Sequence, residues 1–251
     1  MLDFSRLSAG SISTECIARL ATEQGIHHSV WKQAPRSPWI HIQGKWEDYL
    51  HSRGSGFRKS LRRKLRQLHS LGEVSLETVT GRQALSEGLA DGLRIEADGW
   101  KGCNKTAISS QHEVSSFYIA LAQIMAAKGQ LRLHFLTVDK VRIAFDYSIL
   151  ANRCLYSLKA GHSRAYDRFS PGTLLLALIL QSAHEEQLVG MDLLADADPF
   201  KMHWTDTTRT HQWLHCYSDS LRGRFWQSIK CRISPALRSA WSRIRADQRL
   251  A

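Results

Sequence analysis

Cysteine is sparse and unpatterned: Cys16, Cys103, Cys154, Cys216 and Cys231 are odd in number and contain no Cys-x-x-Cys pair. That excludes a disulfide-built scaffold, offers no zinc spacing, and fits a reducing compartment. The histidines, including His27-His28 and the isolated His203, His211 and His215, show no recognised ligand spacing, so no metal is expected. Long apolar runs are missing too, since the longest, Leu174 to Leu180, is far too short to span a bilayer. Met1-Leu2-Asp3-Phe4-Ser5 lacks the basic and apolar regions of a signal peptide, and the expected location is the cytoplasm. There is no internal repeat, no low-complexity segment and no glycine-rich phosphate loop.

Positive charge is abundant. Thirty-four Lys and Arg against 23 Asp and Glu give a net charge of +11, which favours an anionic partner such as nucleic acid, acidic lipid or a phosphorylated ligand. The excess is concentrated in one segment from Arg53 to Arg66 and another from Arg222 to Arg249. Apolar residues make up 43% of the 251, a share ordinary for a folded chain of one to two domains.

Periodicity gives an alternating order of elements. A short helix is expected around Glu15–Gln24, a strand at Trp39–Ile42 and a helix through Trp46, Tyr49 and Leu50. Phe57, Leu61, Leu65, Leu68 and Leu71 then form the apolar stripe of a basic helix closed by Gly72. Glu73–Thr80 alternates as a strand, and residues 83–97 and 112–128 carry helical spacing. Leu131–Val138, Arg142–Leu150 and Cys154–Leu158 read as a hairpin meander joined at Asp139-Lys140 and Asn152-Arg153. Pro171 starts a helix reaching about Glu186, followed by a buried strand Met191–Leu194, a helical piece at Pro199–Trp204 and a strand at Gln212–Tyr217. The fold class is α/β, in the α+β sense, with a mixed sheet.

Four motifs in sequence order resemble one subgroup of the GNAT superfamily, the acetyltransferase-like proteins associated with bacterial cellulose and exopolysaccharide synthesis, which are also similar to Fem-type aminoacyl transferases. They are Trp46-x-x-Tyr49-Leu50 leading to Phe57-Arg58-x-x-Leu61-Arg62-Arg63; Glu96-x-x-Gly99-Trp100-Lys101-Gly102 with Thr106-Ala107; Lys159-Ala160-Gly161 through Tyr166 to Ser170-Pro171-Gly172-Thr173-Leu174; and Asp192-Leu193 followed by Pro199-Phe200-Lys201-x-x-Trp204. The chain departs from the pattern at Lys105 and at Gly161-His162. Members of the subgroup are commonly longer, with two GNAT-like halves. The resemblance therefore divides the chain into a partial N-terminal lobe with a basic linking helix (1–71), a GNAT acyltransferase domain (72–218) and a basic amphipathic C-terminal helical segment (219–251).

The resemblance implies an acyltransferase that takes acetyl-CoA or another acyl-CoA as donor and an amine as acceptor, an amino sugar or envelope polysaccharide precursor being the expected class. It places Ser170, Pro171, Gly172 and Thr173 at the coenzyme A diphosphate, because a helix start carries unpaired amides and the positive end of a dipole. Glu96 is the candidate base, with His162 and Asp192 as further titratable candidates and Tyr166, or Tyr217, as the acid for the departing thiolate. Trp100, Lys101, Lys159, Lys201 and Trp204 are the candidate substrate contacts. Each has a plainer reading: Glu96 an exposed carboxylate, Asp192 a cap of the next turn, Lys201 and Trp204 structural packing. Two other functions stay open, a Fem-like transferase using charged tRNA and a non-catalytic GNAT scaffold in a polysaccharide synthase system. The basic helix offers a surface to a tRNA backbone or an acidic lipid. The C-terminal segment offers one to an anionic membrane at the inner face of the cell, and a homodimer completes the expected partners.

Overall fold

Alternation from Leu131 to His162 produces a continuous antiparallel meander in a computed structural model of the chain, which describes residues 2–31, 36–98, 112–194, 196–218 and 220–228. In chain order the elements are β1 (Leu2–Ser8), α1 (Ile12–Glu23), β2 (His27–Trp31), β3 (Ser37–His41), α2 (Trp46–Ser52), α3 (Ser55–His69) and β4 (Val74–Val79). Next come α4 (Leu85–Asp98), α5 (His112–Ala127), β5 (Leu131–Val138), β6 (Val141–Ala151), β7 (Cys154–His162), a 3-10 turn (Arg164–Phe169) and α6 (Pro171–Glu185). The last are β8 (Gly190–Asp192), α7 (Pro199–Met202), β9 (Thr208–Arg209), β10 (His211–Tyr217) and α8 (Leu221–Ser228).

Packing groups these into two units. The larger comprises Pro38–Leu194 and Asp198–Thr207. Its sheet runs β4-β5-β6-β7-β8-β3. Strands β4 to β7 are antiparallel, whereas β7 and β8 are parallel, so the sheet is mixed. The two hairpin turns hold Asp139 and Lys140 at φ 47° and 66°, and Asn152 and Arg153 at φ 51° and 58°. Two successive residues in the left-handed region are the geometry that follows the twist of the flanking strands.

Side chains leave the meander on alternate faces. Leu133, Phe135, Phe145 and Tyr147 meet Leu85, Leu89, Ile95 and Ala122 of α4 and α5. On the other face Leu136, Ala144 and Leu155 meet Leu61 and Leu68 of α3 and Leu174, Leu175 and Leu180 of α6. The basic helix expected from its leucine spacing buries Leu61 and Leu68, with Phe57 and Leu65 packed beside them, but it ends at His69 and leaves Leu71 of the expected stripe exposed.

One charged network fastens α4 to the sheet. The Arg142 guanidinium, its side chain only 10% exposed, donates to Glu77, to Asp91 at 2.9 Å and to Glu87 at 3.3 Å, and lies 4.6 Å from the Phe135 ring centroid. Burial pushes the Asp91 carboxyl up, but hydrogen bonds from Arg142 and Arg94 outweigh it and hold Asp91 below its ordinary value. A carboxylate with a lowered folded-state pKa contributes stability above its unfolded pKa and loses it as pH falls through the folded value. Arg142→Met should therefore cost about 2 kcal/mol near neutral pH, less than a fully buried pair because the carboxylates are partly exposed. Urea unfolding should show that deficit shrinking as the medium is acidified toward about pH 3.

The smaller unit comprises Met1–Ser37, Ala195–Ala197 and Thr208–Ala251. Its sheet is antiparallel, in the order β1-β10-β2, and α1 packs Ala21 and Ile17 against Leu214 and Cys216. Ser11 caps α1 by accepting from the Thr14 amide at 3.4 Å. Strands β1 and β2 were not expected from the sequence; both depend on pairing with β10, far along the chain. The packed units divide at Ser37/Pro38, on either side of Ala195–Ala197 and at Thr207/Thr208, whereas the divisions expected after residues 71 and 218 follow motif boundaries.

Candidate functional site

Strands β7 and β8 separate, and the separation makes the site. They pair over Cys154↔Gly190, Leu155↔Met191 and Tyr156↔Asp192, after which β7 continues to His162 and β8 stops. The stop is local chemistry: the Asp192 Oδ1 accepts from the Leu194 amide at 2.9 Å, and Leu194 turns the chain with φ 45°. On its other side β7 carries a bulge, since Tyr147 faces Lys159 but Ser148 faces Ser157, leaving Leu158 as the extra residue.

A cleft of roughly 620 Å³ occupies this region. Its walls include Ala160, Gly161 and His162 of β7, Gly172 and Thr173 of α6, Leu193 beyond β8, and Phe200 and Lys201 of α7. Glu96 of α4 and Asp146 of β6 also line it, with residue exposures of 0% and 5%. Gly161 is what lets α4 approach: a Cβ there would stand 2.6 Å from the Glu96 Cα.

The front of α6 is built from Ser170, Pro171 and Gly172. Ser170, at φ 52° and ψ 60°, precedes Pro171, and its carbonyl accepts from the Thr173 and Leu174 amides at 3.0 and 3.2 Å. Pro171 has no N–H, and the Gly172 amide has no intrahelical acceptor. Serine at such a position usually caps the first turn, but the Ser170 hydroxyl instead accepts from the Lys64 ammonium at 2.6 Å. The positive end of the helix dipole and a lysine from α3 therefore meet at one point. Beside it, His162 Nε2 lies 2.9 Å from Asp167 Oδ1. A Cβ on Gly172 would meet the His162 Nδ1 at an ordinary 3.7 Å.

Deeper in, the Asp146 carboxylate accepts from the Ser157 hydroxyl at 2.5 Å and from Ser148, with His134 Nδ1 3.7 Å away. Behind the other wall, burial raises the Tyr118 hydroxyl above its usual value, and the Glu96 carboxylate raises it further.

The remaining sequence candidates are placed as follows. Asp192 is buried at 2% exposure at the end of β8. Tyr166 lies in the 3-10 turn and packs toward Phe169, ring centroids 6.5 Å apart. Lys159 faces the α5 side, its ammonium 5.6 Å from the Tyr118 ring centroid. Lys201 lines the cleft while donating to the Leu194 carbonyl at 3.0 Å. Trp204 is fully buried, edge-on to Phe57 at 4.8 Å, and its carbonyl accepts from the Tyr49 hydroxyl at 2.6 Å. Tyr217 belongs to the smaller unit, on β10. Trp100 and Lys101 lie outside the described residues. The structure thus brings together Glu96, His162, the Ser170–Thr173 helix start and Lys201. It adds Lys64, Asp146 and Ser157, which the sequence reading did not single out. For Asp146 a signal existed: Asp146 and Ser148 are polar at alternate positions of a strand whose same face carries Ala144. Among the described residues no group of three or more His, Cys, Asp or Glu side chains is placed to hold a metal ion.

Residues 55–202 match the family model of the acetyltransferase (GNAT) domain, and the chain belongs to that family. None of the curated proteins matches the chain. Among solved structures it is similar to FemX, with a TM-score of 0.57 and 13% identity over 85% of this chain and 71% of that one. It is also similar to L-PGS from Bacillus licheniformis, with a TM-score of 0.54 and 10% identity over 88% of this chain and 69% of that one. A conserved protein of unknown function from Bacteroides thetaiotaomicron gives 0.52 and 14%, over 85% and 69%. At such identities these likenesses show the fold alone. The chain spans 66% to 71% of the length of the first solved structures it matches.

Proposed function

We propose that the larger unit transfers an acyl group from an acyl-CoA thioester to an amine, an amino sugar or polysaccharide precursor being the acceptor class to try first. The observation that carries this reading is the single cleft that joins the open front of α6 to the splayed edge of β7. The Gly172 amide and the Lys64 ammonium hold the diphosphate, and the β7 edge receives the pantetheine arm. Beyond Tyr156 the β7 edge has no β8 partner, and its backbone faces the thioester oxygen as charge develops there.

Amine attack on the thioester carbonyl forms the C–N bond, breaks the C–S bond and releases one proton from the ammonium. Glu96 takes that proton, and the exclusion of water around it strengthens its pull on the ammonium. His162, kept beside Gly172 by Asp167, stands nearer the mouth and returns a proton to the thiolate. Asp146 steadies the cationic amine, and Tyr166 and Asp192 shape the turns that bound the cleft.

Calorimetric titration with acetyl-CoA tests the reading, and absence of heat with every acyl-CoA tried would end it. Lys64→Ala should weaken acetyl-CoA binding about tenfold, the scale of one charge-assisted contact. It should leave turnover of a short thioester without phosphates unchanged.

A further inference from the structure

The acyl-transfer reading uses Lys64 but leaves the rest of the basic helix unexplained. Lys59, Arg62, Arg63 and Arg66 are all exposed, and α3 contains no acidic residue. At about 100° per residue, these four fall on the side opposite the buried Leu61 and Leu68. They make a row about 10 Å long. Like charges recur at positions 59/63 and 62/66, spacings that destabilise a helix in water. An ordinary solvated face intersperses signs, as Asp91 and Arg94 do on α4.

We infer that the outer face of α3 docks on the anionic surface of a lipid bilayer. The row is a convex helix face without an aromatic side chain, whereas single-stranded nucleic acid is held in grooves with stacking platforms. Two exposed apolar residues lie near the ends of the helix. Leu71, 43% exposed, lies just past the C-terminal end. Phe200, 49% exposed, lies on the short helix α7, whose following residues His203 and Trp204 pack against Phe57 of α3. The apolar stripe of α3 is committed to the core, so attachment is by charge with shallow apolar contact, and no helix among the described residues is long and apolar enough to cross a membrane. Lys64 lies on the inner side of the same helix, turned toward Ser170, and takes no part in the docking row. The docking does not depend on the acyl-transfer reading.

Vesicle flotation decides the matter without any turnover assay. The full chain should float with vesicles of phosphatidylcholine mixed with phosphatidylglycerol, stay behind with phosphatidylcholine alone, and detach as salt is raised. Replacing Lys59, Arg62, Arg63 and Arg66 together by Gln should lower partitioning by two orders of magnitude or more, about fivefold for each cation removed. The double variant Lys128→Gln/Lys140→Gln, elsewhere on the surface, should float like the parent, and circular dichroism melts should show that all three proteins fold alike. Failure of the parent to bind mixed vesicles, or equal binding to neutral ones, would overturn the inference. So would full retention by the four-residue variant, which would move the contact to the C-terminal segment. Capture of a duplex RNA through the same four residues, at a salt concentration where vesicles are ignored, would make the row a nucleic-acid surface instead.

Discussion

Gly172→Trp should abolish acyl-CoA binding, lowering affinity at least about a hundredfold, while Gly172→Ala stays within a few-fold of the parent. The backbone at Gly172 is helical, so neither substitution is strained by its φ. An alanine methyl would find only the His162 ring at 3.7 Å, an ordinary contact. An indole in the same place fills the region between His162 and the Ser170–Lys64 pair, where a diphosphate would have to lie. A hundredfold loss corresponds to about 2.7 kcal/mol, the scale of one or two charge-assisted hydrogen bonds to an anion. The pair of variants separates two explanations of the helix front. If the amide alone mattered, both would bind normally, because both keep it; if open space mattered, only the tryptophan would fail. Melting temperatures should be alike, since position 172 is partly exposed and outside the apolar core. Retained acetyl-CoA affinity in Gly172→Trp, measured by calorimetry, would remove the diphosphate from α6.

What could be read from the sequence is what local physics determines. The helix at Pro171 was legible because proline pre-sets the first turn and Leu174, Leu175, Leu178 and Ile179 follow at helical spacing. The meander was legible from alternation and from the turn residues Asp139 and Asn152, which tolerate positive φ. Strand β1, by contrast, contains Asp3, Ser5 and Arg6, and its conformation comes from pairing Leu2↔Cys216 and Phe4↔Leu214, a register that no local window contains. The same limit applies to the site. That α6 begins with an open turn follows from Ser170-Pro171-Gly172, but the arrival of Lys64 at Ser170 joins residues 106 apart in the chain. Asp146 becomes part of the cleft only because the hydroxyls of Ser148 and Ser157, from two neighbouring strands, turn toward it. Side chains that look like one motif also part company in space: Lys201 and Trp204 are three residues apart, yet one lines the cleft and the other is sealed in the core.

Gly161→Ala should do the opposite of Gly172→Trp, sparing acyl-CoA affinity and removing turnover. The added methyl group would sit 2.6 Å from the Glu96 Cα, a distance that real Cβ atoms do not sustain, and a tight 3.2 Å from its amide nitrogen. The neighbour is helix backbone, which cannot rotate aside, so α4 must back away from β7. Overpacking of this kind costs about 1–3 kcal/mol in stability. The functional cost should be larger, because the displaced helix carries Glu96 out of the cleft wall. A shift of about 1 Å in a reacting group lowers rates by roughly a hundredfold. The α6 front is built from Ser170, Gly172 and Lys64, whereas the atoms nearest the new methyl group all belong to Glu96, so calorimetry should return an acetyl-CoA affinity near that of the parent. Thiol release from acetyl-CoA in the presence of an accepted amine should fall about a hundredfold, mainly in kcat. Glu96→Gln in the original backbone should reproduce the rate loss without the stability loss. Full turnover in both variants would take Glu96 out of the chemistry and leave Asp146 as the carboxylate facing the amine.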